Sequence, residues 1–524
     1  MKIFLFLIFN LIWINICIYG QSPTINWQRC YGGSENDWGR KIIKGRNNDL
    51  IIVGDTRSSD GDINGGFDLT NICWFRLDTT NAIINRQTFS GSRQDISKDV
   101  IPAWNNGYII LGSTNSTNGD ISGNHGGFDI WIIKISIQGV MQWQKCLGGS
   151  KDEFANSIIK TSDSCYVITG MTMSDDGDVS VNHGLPNTND AWLIKVDLSG
   201  NILWEVTYGG PNGDYGQHVI ETSDKGFFIT GSTYSNAGQV IGNNGALDVW
   251  VIKTDSLGTL EWQHCYGGSF LDAGYKTVEV NNHYYLLGYN LSNDGDVTNN
   301  HPDPGSSHQA SADAWLICID SIGILQWEKS YGGSFIELGL DLLSFNNFLF
   351  IACESSSNDG DVSNNHSNYA DYWLIQTDLQ GNILWQSCYG GSYDEFAESI
   401  LVENNHLYAL GYSDSNDGDV SGNHGGIDFW LIDLNIDSLI NSRSELLSER
   451  KIIIFPNPAN DKLNINIYEE AQMILEDVNG KIIIERKINY SLTEDVRELP
   501  NGIYIVKIIS KKHIQYNKLF IIQH

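Results

Sequence analysis

The sequence predicts an all-β protein: a seven-bladed β-propeller followed by a small C-terminal β-sandwich. Three observations predict it. Tryptophan recurs seven times at intervals of 57 to 65 residues. Each copy holds four short runs rich in Val, Ile, Trp and Tyr that alternate apolar and polar residues, as half-buried strands do. The last copy stops after its third run, whereas the chain opens with a spare fourth one.

The elements follow in chain order. Lys2 and the apolar stretch Ile3 to Tyr19, closed by the small Gly20, read as a signal peptide over residues 1–20, with cleavage before Gln21. The stretch is only marginally long enough to span a bilayer, and no stop-transfer flank follows it. The propeller is expected over residues 21–437. Its Trp series is Trp74, Trp131, Trp192, Trp250, Trp315, Trp373 and Trp430. A second series is Trp27, Trp143, Trp204, Trp262, Trp327 and Trp385, with Asn85 standing in once. In the third copy the strands read Ala155 to Thr161, Cys165 to Thr172, Ala191 to Asp197 and Asn201 to Tyr208. Four antiparallel strands per repeat describe a propeller rather than a helical solenoid. The spare strand Ile25 to Tyr31 can complete the last blade beside Asp428 to Asn435, which removes the free sheet edges. Residues 438–450 form a polar linker, and residues 451–524 a separate domain.

Charge narrows the partners. The formal net charge is -31. From Arg443 onward 12 basic residues meet 11 acidic ones, so the acidity belongs to the body, with 52 acids against 19 bases. Such a surface repels nucleic acid and anionic membranes. Cys30, Cys146, Cys265 and Cys388 share a repeat position that elsewhere holds Thr88, Thr207 and Ser330. That is a small, half-buried strand position and not a disulfide framework.

Acids recur in the loops of one face. One stands three residues after each Gly-Gly-Ser position: Asp37, Asp95, Glu153, Asp214, Asp272, Glu337 and Glu395. Asp-Gly-Asp recurs as Asp60 and Asp62, Asp176 and Asp178, Asp294 and Asp296, Asp359 and Asp361, and Asp417 and Asp419. Calcium is the cation that clustered Asp side chains and turn carbonyls suit. Against it, Asp-Gly is itself a turn former, the spacing is not that of an EF-hand, and the fourth copy has Ala237-Gly238-Gln239 instead. His125, His183, His301, His366 and His424 fall once per blade, too far apart for the converging ligands that zinc needs. The repeated Trp and Tyr rows read as packing between blades rather than as a sugar-stacking surface.

No catalytic constellation emerges. The propeller arginines, Arg29 to Arg93, all lie in the first two repeats, so no central Arg cluster can form from several blades. No Gly-x-Ser-x-Gly, His-Glu-x-x-His or P-loop pattern occurs. Acids present in every blade argue for a shared structural role, since a catalytic pair should break the symmetry.

Two resemblances complete the reading. Gly148-Gly149-Ser150 with Glu153, Tyr166 to Gly170, and Asp190 to Asp197 resemble the SBBP-type bacterial β-propeller repeat over about residues 25 to 435. That likeness implies a secreted or surface propeller. The tail is similar to the type A C-terminal sorting domain of the Bacteroidetes type IX secretion system. Its marks are the Pro456-Asn457-Pro458 opening, the Asp-x-x-Gly-Lys turn ending in Gly480 and Lys481, the strand containing Gly502 and Tyr504, and the late Lys518. It implies export through the periplasm and outer membrane by the type IX machinery, to the surface or the medium. The expectation is therefore a monomeric, non-catalytic propeller binding a glycan or protein on its acidic loop face, with no cofactor beyond the calcium considered above. The alternatives are a polysaccharide hydrolase with carboxylates in the propeller centre and a purely structural surface protein.

Overall fold

The structure, a computed structural model, describes residues 22–65, 69–301, 311–436, 453–455, 462–466, 471–477, 481–488, 491–510 and 515–522. The segments expected as signal peptide and linker, and Pro456, Asn457, Pro458 and Gly480, lie outside the described residues. The chain forms two compact units, Met1–Asn435 and Ile436–His524.

The first unit contains seven four-stranded antiparallel sheets. Blade 1 is Asp37–Lys44, Leu50–Thr56, Asn71–Leu77 and Ile83–Phe89, and blades 2 to 6 repeat that order. Blade 7 is Glu395–Glu403, His406–Ser413 and Asp428–Asn435, completed by the N-terminal strand Ile25–Tyr31. The first strands are innermost and pack blade to blade around a ring, with blade 7 against blade 1. The β-branched third strands are buried along almost their whole length. Apolar clusters lie between blades: Trp74 and Ile51 of blade 1 pack with Trp131 and Val100 of blade 2. Burying that area against the neighbouring sheet is what drives the stacking.

The buried Trp series has a polar counterpart. The indole of Trp131 donates to Gln144 at 2.9 Å, and those of Trp192, Trp250, Trp315 and Trp373 donate to Glu205, Gln263, Glu328 and Gln386. Trp430 donates to Gln28 of the N-terminal strand, so the closing blade carries the same bond. Blade 1 departs from the series. Its register sets Cys73 opposite Gly54, where blade 2 sets Trp131 opposite Gly112. Trp74 therefore stands one residue past the repeat position, and its buried indole has no acceptor among the described residues.

A buried acid anchors each blade junction. Asp37, Asp95, Glu153, Asp214, Asp272, Glu337 and Glu395 are fully buried. Each accepts the amide of the glycine four residues before it at 2.7–2.8 Å. In six blades a hydroxyl at the end of the second strand, from Thr56 to Ser413, donates to the other oxygen. A second buried acid arrives from the preceding blade. A side chain on Gly32 would collide with both Asp428 of blade 7 and Asp37 of blade 1, and five other junctions repeat this arrangement. Burial, and then like charge nearby, favours the protonated form. It pushes Asp214 and Asp428 up to about 6 and Asp248, Glu337 and Glu395 up to about 7.

The second unit is a sandwich. One sheet pairs Ile453–Phe455, Lys462–Asn466 and Ser491–Asp495; the other orders Ile482–Ile488, Ala471–Asp477, Gly502–Ser510 and Gln515–Ile522. Leu463, Ile465, Met473, Leu475, Val506 and Ile508 form its core. Tyr504 is buried and donates its hydroxyl to the carbonyl of Pro500, and the Lys481 amide closes its turn on Asp477 at 3.0 Å. Gly502 opens a strand, and Lys518 lies in the last one.

The junction acids set the pH response. Their folded pKa values lie above those of the unfolded chain, near 4, so the folded state holds protons that the unfolded state has lost. Stability is then greatest at the acidic end of this window and falls as pH rises through about 7. The melting temperature of the mature protein should rise by several degrees from pH 8 to pH 5.5 in scanning calorimetry; a fall over that interval would contradict this account.

Candidate functional site

The Asp-Gly-Asp loops project from the face on which the first strands begin. Their first carboxylates accept a serine amide of the Gly-Gly-Ser loop at 2.7–2.8 Å: Asp60 from Ser34, Asp176 from Ser150, Asp294 from Ser269, Asp359 from Ser334 and Asp417 from Ser392. Those hydrogen bonds hold Asp60, Asp176 and Asp359 below their ordinary values. The middle glycine is left-handed, with φ of +63° at Gly61, and a side chain there would strike the Gly32 carbonyl. The second Asp returns its own amide to that loop: Asp62 to Gly32, Asp178 to Gly148, Asp296 to Gly267, Asp361 to Gly332 and Asp419 to Gly390, at 2.8–3.0 Å. The carboxylates of Asp178, Asp296 and Asp419 also accept the amides of those same glycines at 3.2–3.3 Å.

The ten aspartates are thus gathered as one pair in each of five blades, latching two loops together. Blade 4, with Pro211 and Ala237 at the other two positions, keeps the second half of this latch without charge. Gln239 donates its amide to Gly209 at 3.2 Å and accepts from it at 3.1 Å. Among the described residues, no three His, Cys, Asp or Glu side chains converge as metal ligands would.

The repeated histidines are each spoken for. Nδ1 of His125, His183, His301, His366 and His424 lies 2.6–2.8 Å from Asp129, Asp190, Asp313, Asp371 and Asp428, the junction acids of the third strands. The backbone amide of each His donates to the same oxygen. The hydrogen bond to Asp313 pushes His301 up. The spacing His-x-x-x-Asp signals this pairing at His125 and His424, but loops of varied length hide it in the other blades.

The seven-fold pattern breaks at the ring centre. Every innermost strand carries a β-bulge at the same place. The two residues there are Arg40-Lys41, Lys98-Asp99, Asn156-Ser157, Gln217-His218, Tyr275-Lys276, Leu340-Asp341 and Glu398-Ser399, and no two pairs agree. All of them but Ser399 line a cavity of about 380 Å³. Bulges re-aim side chains, here into the channel.

In four of the pairs the second residue also staples blades. Asp99 accepts the amide of Ile158, His218 that of Thr277, Asp341 that of Ile400 and Ser399 that of Ile42, at 3.0–3.4 Å. Lysine has no acceptor. Where blades 1 and 5 carry Lys41 and Lys276, the next blade supplies Asp99 or Asp341, which takes up its own neighbour's amide instead. Asp341 lies 3.3 Å from Lys276 and 3.4 Å from Lys41. Burial alone would raise its carboxyl, but the two lysines hold it well below the usual range. Burial keeps His218 neutral, and since its Nδ1 accepts, its Nε2 carries the proton. Glu398 is ion-paired with Arg40, which also meets Asp55 at 3.0 Å.

One acid of this region escaped the repeat logic. Glu354, on the second strand of blade 6, is only 9% exposed. Burial, then Glu398 and Asp394, pushes its carboxyl up to about 8, with no offsetting hydrogen bond among the described residues. The corresponding position holds Asp55 in blade 1, Ser113 in blade 2 and Ser232 in blade 4, so no regular repeat marked it.

Comparison with known proteins separates the two units. No curated protein sequence matches the chain. Similar solved structures include the Pan2 WD40 domain of Neurospora crassa, at 11% identity over 76% of this chain and 97% of that one, TM-score 0.41. The endosialidase of phage phi92 is similar at 9% identity over 78% and 68%, TM-score 0.38. An apocarotenoid oxygenase variant of Synechocystis is similar at 12% over 75% and 88%, TM-score 0.36. These likenesses are slight, and the propeller assignment rests on the strand order itself. Residues 453–523 match the family described as the secretion system C-terminal sorting domain. The C-terminal unit is a type IX sorting domain, and it marks the chain for export to the cell surface or the medium.

Proposed function

We propose that the exported propeller is a binding module that takes its ligand at the mouth of the central channel, on the face of the Asp-Gly-Asp loops. The observation that carries this reading is the contrast between scaffold and channel. The junction acids repeat in all seven blades, and the loop latches and indole bonds in nearly all. The seven bulge pairs facing the channel all differ. Identical positions serve identical packing, whereas a ligand of lower symmetry than the ring requires different groups around it. Asp99, Asp341 and Glu398 are held by lysines, arginine or amides, which leaves them poorly placed to exchange protons with a substrate.

One observation favours a hydrolase. Burial, then Glu398 and Asp394, hold Glu354 protonated near neutral pH, the state from which a general acid acts. The two readings separate in one experiment. Incubated with a panel of soluble polysaccharides, the mature protein should retain a ligand in affinity electrophoresis without releasing reducing ends. Release of reducing ends that Glu354→Gln abolishes would replace binding with hydrolysis.

We further infer that the Asp-Gly-Asp loops are latches that need no calcium. Blade 4 supports this, because Gln239 closes the same loop without a carboxylate. The melting temperature should be the same in 5 mM EDTA and in 5 mM calcium chloride, two arms set at about equal ionic strength to remove screening differences. A melting temperature several degrees lower in the chelator would restore calcium as a structural ligand.

A further inference from the structure

We propose that a crescent of exposed aromatic rings on blades 5, 6 and 7 binds an uncharged polysaccharide, leading it from the rim of the loop face to the channel mouth. This rests on the binding-module reading and names its ligand. The residue after each Gly-Gly-Ser position is presented identically in all seven blades. Its amide donates to a serine hydroxyl of the neighbouring loop at 2.8–3.0 Å, from Glu35 on Ser58 to Tyr393 on Ser415. The scaffold is constant, but the side chain is not. Blades 1 to 4 present Glu35, Arg93, Lys151 and Asn212; blades 5 to 7 present Phe270, Phe335 and Tyr393. These three rings are 41%, 54% and 53% exposed.

The same blades carry aromatics inward. Tyr369, half exposed, lies 5.9 Å from Tyr393. At the channel mouth Tyr275 faces Tyr289 at 5.8 Å, and Phe396 stacks on Tyr412 at 5.0 Å. Tyr289, Glu354 and Tyr412 occupy the position held by Asp55, Ser113, Met171 and Ser232 in blades 1 to 4. At the rim position the aromatics are confined to blades 5 to 7; inward, tyrosine fills the second-strand position only in blades 5 and 7, while Trp38, Phe154 and Tyr215 occupy the Phe396 position in blades 1, 3 and 4.

The chemistry of the crescent selects the occupant. Rings one blade apart, each beside a serine and an Asp-Gly-Asp carboxylate, offer alternating apolar faces and hydrogen-bond acceptors. Asp359, for example, accepts the hydroxyl of Ser334 at 2.7 Å, next to Phe335. A sugar ring has apolar C–H faces and a girdle of hydroxyls, which suits both. Isolated rings in a polar field do not make the continuous apolar core of a protein interface. The body carries 52 acids against 19 bases, so an anionic chain is repelled and an uncharged one is not.

The test uses the mature protein and two soluble polymers, galactomannan as the uncharged probe and polygalacturonate as the anionic one, in affinity electrophoresis. Galactomannan should retard the wild type and polygalacturonate should not. Phe335→Ala with Tyr393→Ala should weaken retention about tenfold, the equivalent of losing about 1.4 kcal/mol of stacking. Arg93→Ala with Lys151→Ala, at the same positions of blades 2 and 3, should leave it unchanged. All four side chains lie in surface loops, and an unaltered melting temperature checks folding. Equal retention of the wild type and the aromatic double variant overturns the crescent while leaving the binding module standing. Retention of polygalacturonate alone overturns the uncharged occupant. Retention of neither polymer overturns the proposal, and the broader polysaccharide panel then decides whether the binding module survives.

Discussion

A carboxyl group buried at every blade junction is the constraint on which the rest depends. An acid inside protein is costly unless donors surround it, and here each accepts a glycine amide and, in most blades, hydroxyls from the adjoining strand. Those bonds fix where the Gly-Gly-Ser loop sits. At six junctions a second acid from the preceding blade converges on the glycine just before that one, where a side chain would collide with both acids; the seventh has Ser90 there, and Asn71 in place of the second acid. The Asp-Gly-Asp loop then latches onto that loop, and the residue after the serine is held at one place in each blade. The loop face is therefore a rigid platform with seven equivalent display positions.

This hierarchy explains what the sequence disclosed. The Trp steps and strand runs were legible because the register that sets them is the same in every sheet, and the spare strand at the start is the fourth strand of blade 7. Trp74 misled by one residue: spacing alone cannot separate 57 from 58, and Cys73 fills the true position unannounced. The His–Asp pairs stayed hidden because four to twelve residues separate the partners, and only folding brings each His back over its third strand. The bulges left no trace either. A bulge inserts a residue without a composition of its own, so Arg40-Lys41 or Leu340-Asp341 read as ordinary strand. In the tail, the Gly502 strand was legible from its turns and β-branched residues.

The repeated residues are the least informative about a site. Acids and aromatics that recur in every blade are engaged with one another: Trp131 with Gln144, Asp60 with Ser34, Asp428 with His424. Phe270, Phe335 and Tyr393, which have no aromatic counterpart in the other blades, face solvent instead. Phe270, Phe335, Tyr393 and Glu354 were in plain view, yet only the three-dimensional equivalence of their positions to Arg93, Lys151 and Ser113 gives them meaning. In a ring of near-identical units, departure from the repeat is the functional signal, and conformity to it is the scaffold.

Hydrogen–deuterium exchange on the mature protein, with and without a saturating uncharged polysaccharide, tests that division most directly. Amides around Phe270, Phe335, Tyr393 and the channel mouth at Tyr275 and Phe396 should exchange more slowly when the polymer is present. The equivalent amides around Glu35, Arg93 and Lys151 should not change. Slowed exchange spread evenly over all seven blades, or confined to blades 1 to 3, would contradict the account.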